Sequence, residues 1–548
     1  MSLIVSTSTY RKLTTILYYI VVLLFVSAIA LVFIYQAGYL LSVNPHMPFL
    51  EADNYEYYLF AQLAIAHPGS TPLNLTNPYL VGGPPGFFEH PGLYLMPVYA
   101  YDLLHLPLVW EFRILQALAV FIIYLFSLLL VRKIINALPV DRIYHWLAYT
   151  IVLTSFLLMQ YTEVVEWRGN EFVTAISLVI LYAFAWFYTH KNVRSAYTIF
   201  TWFLITGLSI LAIWIWSVGG VIAVPLVTAL LFGFTLYDLV LSKHVKIWRY
   251  VALVGVLGAV ALFFFSGPIE DMLSSVTVSY NFSGCLSNPL HIGELDCLNV
   301  SNGLVAILMM IVFGTFAVAA FLGDTIMSNK RKEYEYYLFG VFIAGLLFLP
   351  LSLIYIRLIG VIAPYLTIMY ALGIVAMLSY FSKSGSNRIV LSLTVILVLI
   401  SSFVGQYIFY ISSDALYGFT NPDGLAYATA YMSNSSPNAT VLTYYAYGGY
   451  LEAYGHLRVY ADTIQGLNYK GIGRDDTFFS SNSTTACAML KNYTPQPYFI
   501  MTSDNMLNST LFANVSNDSI LKDTQSFNDS CGYTIRYEQG GFTVFAHR

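Results

Sequence analysis

Charge is scarce in this chain. Of its 548 residues only 10% are Asp, Glu, Lys or Arg, whereas ordinary soluble domains carry about a quarter. That shortage excludes a wholly water-soluble protein. The formal net charge is only −4, which leaves no basic surface for a polyanion, so no nucleic-acid partner is expected. Cysteine is scarce as well. The four present, Cys285, Cys297, Cys487 and Cys531, are too dispersed for a zinc site. No Walker loop, dinucleotide fingerprint, coiled coil or internal repeat occurs, so nothing points to nucleotide-driven or nicotinamide chemistry.

Apolar residues are abundant: 58% of the chain is hydrophobic and 17% aromatic, with a mean hydropathy of +0.68. A membrane span needs about 20 mostly apolar residues. Eleven segments qualify: 13–36, 110–131, 143–160, 172–189, 196–216, 218–241, 248–267, 302–323, 335–356, 358–381 and 389–411. Closely spaced or split helices raise the count to about thirteen. The apolar run from Leu13 to Gly38 is too long for the core of a signal peptide. The stretch 92–108 is interrupted by Pro97, Asp102 and Pro107 and reads as re-entrant or interfacial.

Basic residues orient the spans. They cluster at Arg11 and Lys12, at Arg132, Lys133 and Arg142, at Lys191 and Arg194, at Lys243, Lys246 and Arg249, at Lys330, Arg331 and Lys332, and at Lys383 and Arg388. With eleven spans these positions recur at the start and after every second span. The N-terminus is therefore expected in the cytoplasm, and 37–109, 161–171, 268–301 and 412–548 outside the cell. Two independent markers agree. All four cysteines fall in external segments, where disulfides form, and Cys285–Cys297 is the first pairing expected. Eleven N-x-S/T sequons also fall there, none in a cytoplasmic loop.

The chain thus divides into a membrane domain, 1–411, and an external domain, 412–548. The external part reads as mixed α/β. Helical spacing marks 423–436 and 484–493. Strands are expected at 439–445, 457–462, 497–503, 531–539 and 541–548.

The few charges gather on one side of the membrane. "EADNYEYY" places Asp53 just beyond the first span. "TEVVEWRGNEF" supplies Glu163, Glu166 and Glu171, and "HIGELDC" supplies Glu294 and Asp296. Arg357 stands at the outer end of two adjoining spans, in "YIRLIGVIAP". Loop acids are usually just solvated, but an arginine at membrane depth is costly and tends to have a task. Carboxylate oxygens suit Mg²⁺ or Mn²⁺, and a guanidinium suits phosphate.

In this order the features resemble the catalytic subunit of oligosaccharyltransferase, of the archaeal AglB type and related to bacterial PglB, over nearly the whole chain. The resemblance implies a polytopic α-helical membrane protein of GT-C glycosyltransferase type with a C-terminal mixed α/β domain. Asp53 matches the family's metal-binding acid in the first external loop. "WRGNEF" matches the second acidic motif through Glu171, with Gly169 where its first acid would stand and Glu166 as a substitute. "HIGE" matches the late external Glu through Glu294, and "RLIGVIAPYL" matches the late Arg through Arg357. "TYYAYGG" follows the layout of the W-W-D-Y-G acceptor motif through Tyr444, Tyr445, Tyr447 and Gly448, with Ala446 in place of the acid.

The resemblance implies transfer of an oligosaccharide from a lipid-linked donor to Asn in N-x-S/T sequons, with Asp53 and Glu294 catalytic. Asp53, Glu171 and Glu166 would hold Mn²⁺ or Mg²⁺, and Arg357 the donor phosphate. The partners implied are the lipid-linked oligosaccharide, the acceptor polypeptide and membrane lipid, with a single subunit sufficient. Loss of the acid at Ala446 keeps two alternatives open. One is a GT-C enzyme that uses a polyprenyl-phosphate sugar and another acceptor. The other is an inactive paralogue that binds glycan lipid.

Overall fold

The computed structural model describes residues 52–70, 75–81, 91–136, 169–189, 422–461, 471–504 and 517–548, with scattered positions between them such as Phe49, Trp167 and parts of 145–152, 204–215 and 367–375. Arg357, Glu166, Glu294 and the Cys285–Cys297 pairing lie outside the described residues, as do most of the expected spans. The chain forms two compact units. One comprises Met1–Gly38, Gln116–Val164 and Gly169–Ser412. The other comprises Tyr39–Leu115, Val165–Arg168 and Ser413–Arg548.

In chain order the helices are α1 (Ala52–Ala66), α2 (Pro91–Leu104), α3 (Leu108–Ile135) and α4 (Gly169–Thr189). Pro91 opens α2, where its missing N–H costs nothing. Of the described helices, α3 is long and apolar enough to cross a membrane, with a hydropathy of 2.7 over its best window. It contains the span expected at 110–131. Glu111 lies in its first turn, and Arg132 and Lys133 in its last, an arrangement that suits the helix dipole. Helix α4 contains the span expected at 172–189, and its 171–183 portion is the shorter apolar stretch. Phe126 of α3 meets Tyr182 of α4 edge to face at 5.5 Å.

The C-terminal elements are α5 (Pro422–Ser435), β1 (Thr440–Leu442), α6 (Tyr445–Gly455), β2 (Arg458–Val459), α7 (Gly471–Ser480), α8 (Ser483–Leu490), β3 (Phe499–Ser503), α9 (Thr524–Ser530), β4 (Tyr533–Gln539) and β5 (Phe542–His547). The described strands form one sheet in the order β2-β1-β3-β5-β4. β1 runs parallel to both β2 and β3, whereas β3, β5 and β4 pair antiparallel. Gly540 and Gly541, both at positive φ, make the tight turn between β4 and β5 that a side chain would strain.

Both faces of β3 are buried, as the near-continuous apolar run of a central strand requires. Cys487 and Cys531 form a disulfide that ties α8 to the end of α9. Residues 75–81 join this sheet. Leu80 pairs in parallel with Val459, and Val81 N–H donates to the Val459 carbonyl at 2.8 Å.

Candidate functional site

The stretch Tyr444–Gly448 is expected from its aromatics to end a strand. Instead β1 stops at Leu442, and Tyr445 opens a helix. Tyr444 keeps an extended backbone, with φ −62° and ψ 133°. The reason is visible in the spacing. Tyr447, Tyr450, Leu451 and Tyr454 recur at three and four residues, which is a helical stripe, and the first three are buried.

The motif therefore sits where β1 hands over to α6. The chain passes from β1 to β2 on one side and later to β3 on the other, so β1 is the point where the direction of winding switches. In open α/β sheets the crevice beyond the strand carboxyl ends at such a point is the usual ligand position. Tyr444 and Tyr445 are half-exposed there, their ring centroids 4.5 Å apart. Tyr447 is buried and shares a 2.8 Å hydrogen bond with Ser503 Oγ at the end of β3. Its ring also meets Phe542 at 5.5 Å. Thr443 Oγ1 donates to the Met501 carbonyl at 3.2 Å. The turn is thus held to β3 from both ends of the motif. Gly448 is buried behind it.

Helix α1, which carries Asp53 in its first turn, packs along α6. Tyr55 meets Tyr450 at 5.0 Å and Tyr454 at 5.7 Å, and Tyr58 stacks on Tyr454 at 5.6 Å. The pairing ascends along both helices, so they run in the same sense. The first turn of α1 accordingly lies toward the motif end of α6. Beyond it, Asn77 Nδ2 donates to Glu452 Oε2 at 3.1 Å.

The tyrosines of this interface are neutral phenols. Burial raises Tyr55 well above its ordinary value and raises Tyr454 likewise. Burial also pushes Tyr450 up to about 12. They offer hydrogen bonds and apolar surface, not general bases. A buried cation stands close by: the Arg113 guanidinium lies 5.7 Å from the Phe49 ring centre, within cation–π range. Phe49 in turn accepts a hydrogen bond from the Tyr55 hydroxyl.

Glu171 belongs to the other compact unit. It stands in the first turn of α4 and is fully buried. The positive end of a helix favours an acid there, and a buried carboxylate also suits a hard divalent cation. Among the described residues no three His, Cys, Asp or Glu side chains come together. Asp53 is placed by its backbone in α1.

Sequence reasoning missed Ser503, Tyr450, Tyr454 and Arg113. The tyrosine spacing was the available signal for two of them. Ser503 had none.

No family model matches the chain, and no curated protein matches it. Solved structures do. The archaeal oligosaccharyltransferase AglB from Archaeoglobus fulgidus, in complex with an inhibitory peptide and a dolichol-phosphate, is 13% identical. The match covers 97% of this chain and 74% of that one, with a TM-score of 0.61. The same enzyme tethered to an acceptor peptide containing the NVT sequon is 13% identical over 91% and 70%, with a TM-score of 0.58. Apo ArnT from Cupriavidus metallidurans is 14% identical over 96% and 97%, with a TM-score of 0.50. The chain has the fold of these membrane glycosyltransferases.

Proposed function

We propose that this protein transfers an oligosaccharide from a polyprenyl-(pyro)phosphate carrier to the Asn side chain of N-x-S/T sequons on the extracytoplasmic face of the membrane. One observation carries the reading. In a fold shared with an archaeal oligosaccharyltransferase, the helix bearing Asp53 packs in the same sense along the helix that begins at the Tyr444–Gly448 motif.

In this reading the chain crosses the membrane about 11–13 times, with its N-terminus in the cytoplasm. Tyr444, Tyr445, Tyr447 and Gly448 wall the pocket for the acceptor peptide. Arg357 holds the donor phosphate. Asp53 and Glu294 accept the two N–H bonds of the acceptor carboxamide. That interaction weakens the conjugation that otherwise makes an amide nitrogen a poor nucleophile. The nitrogen bonds to the sugar C1 as the C1–O bond to phosphate breaks. The amide gives up one proton to a carboxylate that accepted its N–H bonds, Asp53 or Glu294, and the lipid (pyro)phosphate leaves with the bonding pair. Asp53, Glu171 and Glu166 would supply the oxygen ligands that Mn²⁺ or Mg²⁺ prefers, and the cation would offset charge on the leaving group.

The test is an assay of membranes with lipid-linked donor and a sequon peptide. Transfer should need the peptide Asn, need its Ser or Thr, and fall sharply with Asp53→Asn. Full cation-dependent transfer by Asp53→Asn would overturn the assignment.

A second reading has a specific observation behind it. Ala446 presents a methyl group in the first turn of α6 where the resembled motif has an acid, and a methyl group accepts no hydrogen bond. A GT-C transferase with a polyprenyl-phosphate sugar donor and another acceptor would not need that acid. Equal transfer to sequon peptide and to its Thr→Ala version would favour it.

A further inference from the structure

The fold sorts this chain's own sequons. Those whose three residues are all described begin at Asn434, Asn438, Asn482, Asn492 and Asn517. The N-x-S/T pattern is read over three consecutive residues, so a folded acceptor must present all three. Four of these sequons have a residue in the core. Ala439 and Thr440 are buried. Thr440 Oγ1 donates to the Gln496 carbonyl at 3.1 Å and accepts from the Tyr498 N–H at 3.0 Å. Ser483 is buried, and Asn482 Oδ1 caps α8 by accepting from the Thr485 N–H at 2.9 Å. Tyr493 is buried, its hydroxyl donating to Asp475 Oδ1 at 2.7 Å. Ser519 is fully buried.

Asn434 differs from these. Asn434 and Ser435 are exposed and Ser436 is half-buried, so no member of this sequon is in the core. The three residues close α5, and helix ends fray. Pro437 follows and cannot carry the helix on. The neighbouring surface is also suited to a sugar. Tyr427, Tyr431 and Asn434 recur at four and three residues, on one face of α5. Tyr427 is 56% exposed, and Tyr431 stacks on Tyr537 of β4 with ring centroids 5.3 Å apart. Helical side chains tilt toward the N-terminus, so a group on Asn434 is carried back over Tyr431 and Tyr427. A tyrosine ring offers a flat apolar face and a polar tip, which match the C–H face and the hydroxyls of a sugar.

We propose that Asn434 is an N-glycosylation site of this chain, open in the folded protein, and that the attached sugar lies along Tyr431 and Tyr427. The bond formed joins Asn434 Nδ2 to the sugar C1. The C1–O bond of a lipid-linked oligosaccharide breaks, the lipid (pyro)phosphate leaves with the bonding pair, and the amide proton passes to a base of the transferase. The chain is the acceptor here, whichever enzyme acts on it, so the inference is independent of the reaction proposed above.

The experiment uses the full chain, produced without glycan and held folded in nanodiscs. It is mixed with a lipid-linked oligosaccharide and a different transferase of proven sequon activity. Omitting that enzyme reports separately on the reaction proposed above. Glycopeptide mass spectrometry gives the rate at each sequon, and each rate is divided by that of the same sequon in a proteolytic digest of the chain. The expected ratio at Asn434 is several-fold above the ratios at Asn438, Asn482, Asn492 and Asn517. A ratio at Asn434 no higher than theirs, or a folded chain left unmodified at Asn434, would overturn the site. Hydroxyl-radical oxidation of Tyr427 should fall several-fold in the glycosylated chain relative to Asn434→Gln. Equal oxidation of the two would overturn the seat on the tyrosines.

Discussion

The hydrogen bond between Tyr447 and Ser503 gives a quantitative handle on the motif. Tyr447 is 4% exposed and Ser503 is 6% exposed, so neither hydroxyl falls back on bulk water when its partner is removed. Tyr447→Phe keeps the ring contact to Phe542 and strands the Ser503 hydroxyl. Ser503→Ala takes that partner away from the phenol. Each single change should cost about 1–3 kcal/mol, the penalty of a buried polar group left unpaired. Removing both hydroxyls strands neither, so the double variant should cost no more than the worse single. The coupling is then on the order of 1–2 kcal/mol, or about a tenfold change in an equilibrium constant. The assay is a double-mutant cycle by thermal unfolding of the full chain in detergent micelles. Acceptor-peptide KM is measured on the same four proteins, because a loosened motif should raise KM before it lowers kcat. Stability losses that simply add, within about 0.5 kcal/mol, would refute the idea that this bond holds the motif to β3.

The Cys487–Cys531 bridge closes a loop of sequence separation 44, for which the chain-entropy relation gives about 4 kcal/mol. Replacing both cysteines by Ala should lower unfolding stability by about 2–4 kcal/mol and remove its sensitivity to reductant. Gly455→Ala would bring a new Cβ to 2.8 Å from Thr429 Cγ2 and 3.0 Å from Leu457 Cδ1. It should cost about 1–3 kcal/mol as overpacking, seen as faster hydrogen exchange in α5. Tyr450 predicts an alkaline limit. Its folded pKa of about 12 lies above the ordinary value of 10.0. Its contribution is therefore complete below pH 10 and is lost as pH rises from there toward 12, because the unfolded phenol ionises first. Unfolding followed by tyrosinate absorbance should show stability falling over that window, less so in Tyr450→Phe.

What the sequence made legible was local. The apolar run 110–131 became α3, and "FIMTS" became β3 between two partners, because burial on both faces leaves a continuous apolar signature. The two strands of the β4–β5 hairpin were both expected, at 531–539 and 541–548. The reading failed where a local preference met a distant partner. Tyrosines favour strands, yet Tyr445 and Tyr447 are helical because Tyr450 and Tyr454 on the same helix find Tyr55 and Tyr58 on α1. Asn77 and Glu452, joined by a hydrogen bond, are 375 residues apart, and no window of periodicity spans that distance. Tyr447 was nominated only through a family resemblance, and its partner Ser503 could not be. A serine at the end of a strand looks the same whether or not a phenol reaches it.

Ala446 is where fold and chemistry can be separated. It is the second residue of α6, a helix whose N-cap, Tyr444, makes no side-chain capping bond and whose first turn holds no acid. The positive end of the helix dipole there favours negative charge by about 0.3–1 kcal/mol, and Ala446 is only half-buried. Ala446→Asp should therefore fold as well as the parent or slightly better. The replacement also restores the hydrogen-bond acceptor that the W-W-D-Y-G layout has at this place. If the motif reads the hydroxyl of a sequon, the ratio of kcat/KM for a Thr peptide over its Ala version should rise by roughly tenfold, the value of one good hydrogen bond of about 1.4 kcal/mol. A stable Ala446→Asp protein with an unchanged ratio would mean that α6 presents its first turn to something other than the residue two places beyond the acceptor Asn. The motif would then be a scaffold for α1, and acceptor choice would lie elsewhere.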